Sequence, residues 1–224
     1  VTKIAISLLI IFAGSCFAAE PGADYKLVER IKPDAQFEFF GAPHIDTVIE
    51  VYSRPDKEKF FGKSFKIVLS SLADPLRKEL LFEYDRIATA TLSPNGKWIV
   101  INDRPYRGHC EPRLFKQQAG LKFAEVKGAK IHGKAVDLFI RHNKLSPAIR
   151  KSMTGEGDCI VESLDWADDS NSLLLRISKG RTGEPVWIWN WHCIYDLKTQ
   201  KASLDLNILN RGSILPGKRL VRNR

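Results

Sequence analysis

Several signatures are missing from this chain of 224 residues. It has no Gly-x-Ser-x-Gly elbow, no phosphate-binding glycine loop ending in Lys-Ser/Thr, and no His-Glu-x-x-His. The usual sequence marks of α/β-hydrolases, P-loop nucleotide enzymes and zinc peptidases are therefore absent. Cysteine is scarce, with four residues and no Cys-x-x-Cys spacing, which argues against a thiolate metal site. The longest charge-free apolar run covers only residues 4–13, short of the roughly 20 residues that cross a bilayer as a helix. Acidic residues are outnumbered 26 to 35, so the formal charge is +9. What is present is globular in balance: 44% hydrophobic and 27% charged residues, with five Trp and twelve Phe to fill a core. Such a chain makes one ordinary domain, and intrinsic disorder of its body is not expected.

The N-terminus reads as an address. Lys3 is a short positive lead, residues 4–13 (IAISLLIIFA) are the oily centre, and Cys16 and Ala18 are small residues near a cut after Ala18 or Ala19. That is the three-part layout of a secretory signal peptide. The expected organisation is a signal over 1–18, one β-rich domain over 19–210, and a flexible basic tail over 211–224, in a periplasmic or secreted bacterial protein. Ala13-Gly14-Ser15-Cys16 is also a degraded lipoprotein signal, so lipid attachment through Cys16 is a second, weaker expectation. Export leaves Cys110, Cys159 and Cys193. One disulfide with one thiol left over, or three buried thiols acting as small hydrophobes, both fit. The tail carries Arg211, Lys218, Arg219, Arg222 and Arg224 without an acid. A solvated tail or contact with an anionic polymer would suit it, whereas export argues against nucleic acid.

Short apolar, β-branched runs divided by turn residues fill the mature chain. They cover 47–53, 65–69, 80–84, 98–102, 113–116, 121–126, 160–164, 173–178, 186–196 and 202–206. This spacing predicts an antiparallel, all-β architecture. One segment differs: Ala135, Leu138, Phe139 and His142 recur at helical spacing and predict a helix over 134–142 that ends before Ser146-Pro147. Asp74-Pro75 suggests a further helical turn, and residues 151–158 (KSMTGEGD) read as a linker.

A repeat emerges from the turns. Leu92-Ser93-Pro94-Asn95-Gly96-Lys97-Trp98 and Trp166-Ala167-Asp168-Asp169-Ser170-Asn171-Ser172 share one grammar, and Ser53-Arg54-Pro55-Asp56-Lys57 is a poorer third copy. Tyr195-Asp196-Leu197-Lys198-Thr199-Gln200-Lys201 reads as strand, turn and return. These segments resemble the blade repeats of TolB-type and WD-repeat-like β-propellers, in which a Ser-Pro-Asp-Gly-Lys turn precedes an apolar strand and a later strand ends in Tyr-x-x-Asp-x-x-Thr-Gly. Asn95 stands for Asp and Gln200 for Gly. The resemblance covers mostly 88–126 and 160–206. It implies propeller-like blades and carries no activity with it.

Candidate sites follow from residue type. In an unbroken strand Trp187, Trp189, Trp191, Cys193 and Tyr195 share one face, which makes either a sugar-stacking platform or core. The polar loop 103–113 offers Arg104, Arg107 and His109, since paired guanidinium donors grip carboxylate or phosphate. His109-Cys110 and His192-Cys193 are matching dipeptides, but strand neighbours point apart and do not ligate one metal. Asp165, Asp168 and Asp169 fit turn chemistry. The resulting expectation is an exported non-enzymatic binding or scaffold protein without cofactor or metal, touching an envelope protein or anionic polymer. The alternative is an exported hydrolase of cell-wall or glycan polymers, which would need a cleft holding two carboxylates, or one carboxylate beside His109 or His192.

Overall fold

The structure, a computed structural model, describes residues 22–32, 45–59, 61–106, 108–145, 147–154, 159–179 and 188–205. The signal segment, the basic tail, Arg107 and Trp187 lie outside these residues.

Among the described residues twelve strands form three four-stranded antiparallel sheets, each a meander whose spatial order follows the sequence. The first holds β1 (Lys26–Ile31), β2 (Thr47–Pro55), β3 (Lys63–Ser71) and β4 (Lys78–Tyr84). The second holds β5 (Ile87–Leu92), β6 (Trp98–Arg104), β7 (Glu111–Ala119) and β8 (Lys122–Glu125). The third holds β9 (Cys159–Trp166), β10 (Ser172–Lys179), β11 (Ile188–Asp196) and β12 (Lys201–Ser203). Between the second and third sheets come α1 (Ile131–His142) and α2 (Pro147–Thr154). The mainly β, antiparallel, blade-like class read from the sequence is the fold observed.

Two apolar layers hold the sheets together. Ile49, Val51, Ile67 and Leu69 of the first sheet pack on Ile99, Ile101 and Phe115 of the second. Val100 and Leu114, on the opposite face of the second sheet, join a larger cluster with Val161, Leu175, Cys193 and Tyr195 of the third sheet. Helix α1 completes that cluster with Ile131, Ala135, Val136, Phe139 and Ile140. Side chains of this size contribute about 1.5–3 kcal/mol each when fully buried. The second sheet is thus the shared middle layer, apolar on both faces because both are covered.

Turn chemistry explains the repeat. Asn95 Oδ1 accepts from Ser93 Oγ (2.8 Å) and from the Lys97 amide (3.0 Å), and Ser93 Oγ accepts from the Trp98 amide (3.0 Å). The equivalent β9–β10 turn is closed by Ser170 N–H donating to Ala167 O at 2.8 Å. The two turns meet, with Asn95 N–H donating to Ser170 Oγ at 2.9 Å. Both join the first and second strands of their sheets, so they are structural equivalents. The supposed third copy is not: Asp56 opens the β2–β3 turn, one position later in its sheet. Asp196 Oδ1 accepts from the amide and hydroxyl of Thr199 (2.6 and 2.7 Å), closing the β11–β12 turn as read.

The helical segment is longer than predicted. Lys130 precedes α1 with left-handed backbone (φ 45°), and Asn143 ends it by donating its amide and Nδ2 to Phe139 O at 3.0 and 2.9 Å. Pro147 does not close a helical region but opens α2 at a first-turn position that needs no N–H. α2 also absorbs Lys151–Thr154 of the supposed linker. Asp74-Pro75 forms a single turn, not a helix, with the Arg77 amide returning to Asp74 O at 2.9 Å.

A cavity at the end of the first sheet and the ion clusters behind it

Chain segments converge where β2 ends, β3 begins and β4 ends, and enclose a cavity of about 380 Å³. Phe65 and Tyr84 are register partners across β3 and β4, and their rings stack at 5.0 Å and 9°. Tyr25, just before β1, adds a third ring, with the Arg54 guanidinium 5.1 Å and the Lys66 ammonium 4.5 Å from its centroid. Asp56 reaches the same space from the β2–β3 turn. Its carboxylate accepts from Ser64 Oγ (2.5 Å) and the Glu58 amide (3.2 Å). The Ser64 hydroxyl is the main reason Asp56 stays below the usual carboxylate range, helped against burial by the Glu58 amide, Arg54 and Lys59. The charges pair off around the rim: Lys59 with Asp85 at 3.3 Å, Lys66 with Glu83 at 3.1 Å, and Arg54 with Asp56 at 3.8 Å. Burial, with Glu29 nearby, pushes the Tyr84 hydroxyl up to about 12. The result is a nearly neutral mouth with ring faces and hydrogen-bonding groups of both kinds.

Ionised groups deeper in the fold are tied into closed networks. Glu50 is fully buried in the middle of β2. Its Oε1 accepts from Arg30 Nε (3.0 Å) and also meets Arg30 Nη2. Its Oε2 accepts from Tyr52 Oη (2.7 Å) and faces Lys78 Nζ (3.0 Å). Burial alone would raise this carboxyl. Hydrogen bonds from Tyr52, Arg30 and Lys78 outweigh it and bring the group down to about 2. Glu162 is held between Arg104 and Arg176, which bind its two oxygens, and these guanidinium groups likewise overcome burial to hold it below its usual value. Arg113 spans Glu125 (Nε to Oε1 2.8 Å, Nη2 to Oε2 2.9 Å) and Asp103 (3.4 Å).

The sequence candidates are scattered. Arg104 belongs to the Glu162 network, joining β6 to β9, so its guanidinium has an internal carboxylate. His109 stacks against Tyr106 (4.8 Å) and lies 4.9 Å from His132 of α1. Burial first, and then the His132 ring, hold it below the usual imidazole range. His132 Nε2 lies 3.1 Å from the Cys159 carbonyl.

The strand expected to carry the indole row is not regular. Pairing passes from Ile177↔Trp191 to Lys179↔Ile188, so β11 carries a bulge, and Asn190 there has φ 53°. The extra residue shifts the alternation. Ile188 and Trp191 both join the core, while Asn190 is exposed. Trp191 sits edge-on to Phe139 at 5.0 Å. The strand alternation expected over 187–195 is therefore interrupted between Ile188 and Trp191.

Cys110, Cys159 and Cys193 are free and buried, which overturns the disulfide reading. Burial lifts all three thiols to about 12, so they pack as small apolar groups. Among the described residues no group of three or more His, Cys, Asp or Glu side chains is placed to hold a metal ion, and no helix is long and apolar enough to cross a membrane.

Sequence reasoning missed the cavity because its residues come from separate strand ends and turns. The one available signal was Asp56 after Pro55, read as turn chemistry alone. Comparison with known proteins adds a distant likeness of shape. No protein-family model and no curated protein matches the chain. Among solved structures it is similar to the β-propeller domain of the Trilobed protease from Pyrococcus furiosus, described as having an open velcro topology. Identity is 16% and the TM-score 0.46, over 80% of this chain and 42% of that one. The chain thus spans less than half of the solved chain it matches. Its class, a mainly β protein of consecutive four-stranded antiparallel blades, is fixed by its own strand order.

Proposed function

We propose that this is an exported, non-enzymatic binding protein whose blade-like sheets present the cavity beside Tyr25, Phe65 and Tyr84 to a polar ligand with a flat apolar face, such as a sugar ring of an envelope glycan. The observation that carries this reading is the pairing of ring faces with balanced, hydrogen-bonding charges around one cavity. A sugar ring needs an apolar surface beneath it and both donors and acceptors at its edge. The buried carboxylate Glu50 and the partly buried Glu162 serve as internal ties, each ionised and saturated by cations, a state suited to holding strands together. Export rests on Lys3, the apolar run 4–13 and Ala18, and a mass measurement of the mature protein from its host tests it: an intact N-terminus would overturn it.

Isothermal titration with soluble cell-wall and capsular oligosaccharides tests the cavity. Tyr25→Ala lies outside every strand, so it should weaken binding about tenfold while leaving the fold intact. Unchanged affinity would sink the cavity reading. The hydrolase alternative draws on the same place, because Asp56, Glu83 and Asp85 line one cavity. Release of reducing ends from those polymers, abolished by Asp85→Asn, would favour it over simple binding.

A further inference from the structure

The positive charge of this protein is concentrated. Residues 127–154, which include both helices, hold seven Lys and Arg but a single acid, Asp137. The tail 211–224 holds five basic residues and no acid. Everything else in the chain carries 23 basic and 25 acidic residues, a slight negative excess. The blades are therefore close to neutral, and the helical insertion is the cationic part of the described fold.

Lys127, Lys130, Arg141, Lys144, Arg150 and Lys151 are exposed. Among the described residues Lys127, Lys130, Arg141, Lys144 and Lys151 join no salt bridge. Lys134 leans over the Tyr195 ring at 5.8 Å. The apolar face of α1 is already spent on the core, leaving the basic face outward. Lys127 and Lys130 flank the start of α1, and Arg141 and Lys144 its end. A 12-residue helix separates the two groups by about 18 Å.

We propose that the helical insertion is a docking face for an anionic lipid surface. Cations held about 18 Å apart on the outside of a helix suit a plane of phosphate headgroups better than one small anion. With its apolar side committed to the core, the insertion would bind by charge alone, without inserting, so attachment must weaken steeply with salt.

The test is co-sedimentation of the full chain with vesicles of phosphatidylcholine alone and with about a third phosphatidylglycerol, read as the ratio of the two affinities. That ratio cancels any contribution from the apolar residues 4–13. The expected ratio is at least about tenfold at low salt and collapses by about 0.5 M NaCl. A variant with Lys127, Lys130, Arg141, Lys144 and Lys151 changed to Gln should lose most of it. One with the five basic tail residues changed to Gln should keep most of it. A ratio near one, a salt-independent ratio, or loss only in the tail variant would overturn the proposal. So would tighter binding to duplex DNA or to a soluble anionic polymer at matched salt. If the five-fold variant misfolds by circular dichroism, the wild-type ratio, its salt dependence and its survival in the tail variant still decide.

Discussion

Replacing Glu50 by glutamine keeps the shape of the side chain and removes its charge. In the native fold Arg30, Tyr52 and Lys78 hold this buried carboxyl at about 2, against an ordinary value of 4.5. At about 1.36 kcal/mol per pH unit that gap corresponds to about 3 kcal/mol of native stability at neutral pH. Because the folded group sits below its unfolded value, the contribution is complete above 4.5 and fades as pH falls toward 2. By pH 3 about 2 kcal/mol of it is gone. Glu50→Gln keeps an acceptor for Tyr52 but removes the counter-charge of Lys78, whose side chain is only 22% exposed and keeps the Tyr52 hydroxyl at 2.6 Å as its neutral partner, while Arg30 at 46% can turn to water. The loss at pH 7 is therefore about 2–3 kcal/mol, at or below the low end of what breaking a buried ion pair costs. Urea unfolding of both proteins at pH 7 and pH 3 measures it. The wild type should lose about 2 kcal/mol more than the variant between the two pH values. A variant within 0.5 kcal/mol of wild type at pH 7, or equal acid sensitivity in the two proteins, would refute the reasoning.

Trp191→Ala should cost about 3–5 kcal/mol, because it removes an indole packed against Phe139 in the larger cluster; a change below 1 kcal/mol in urea unfolding would mean that Trp191 is not core. His109 and His192 are both held below the ordinary imidazole value of 6.5, chiefly by burial and then by His132 and Arg176 respectively, so each favours the neutral ring in the fold. Their contribution is complete above 6.5 and is lost as pH falls toward the lowered values; Tm should drop from pH 7.5 to 5.5, and His109→Gln should flatten that drop. Gly96 has φ 67°, and a Cβ there would stand 3.0 Å from Ile45; Gly96→Ala should destabilise by about 1–2 kcal/mol, whereas a neutral result would show that the β5–β6 turn is free to rearrange.

How far the sequence spoke depended on whether one side of a strand was apolar. β2, β3, β6 and β10 are β-branched or leucine-rich and were all legible. β1 (KLVERI) was not, because its first five side chains are exposed and it offers no periodic apolar face. β5 (IATATL) is built largely from Ala and Thr, offers no apolar run of its own, and was marked only by the turn that follows it. Glu50 fell in an alternating run where a charge ordinarily marks the solvent side. Only tertiary structure, through Arg30 and Lys78, makes its burial tolerable. The cavity gave still less notice: Tyr25, Asp56 and Tyr84 share no local pattern and meet only because antiparallel register brings those chain ends together.

The joints explain the remaining misses. Five non-glycine residues among those described adopt left-handed backbone: Lys130, Lys144, Ser170, Asn190 and Gln200. Glycine at such a position announces a break, since it occupies that region at little cost, whereas Lys, Ser or Gln announces nothing. Asn190 therefore passed for an ordinary strand residue, and the bulge it makes breaks the regular alternation assumed for 187–195. Lys130 hid the true start of α1. Gln200 is the instructive contrast. It is equally silent by itself, yet the repeat had already marked its place as the glycine position of a blade turn, and the backbone there is left-handed. A repeat carries backbone conformation across a substitution that composition cannot reveal, and for that reason the third sheet was legible at its turns but not at its bulge.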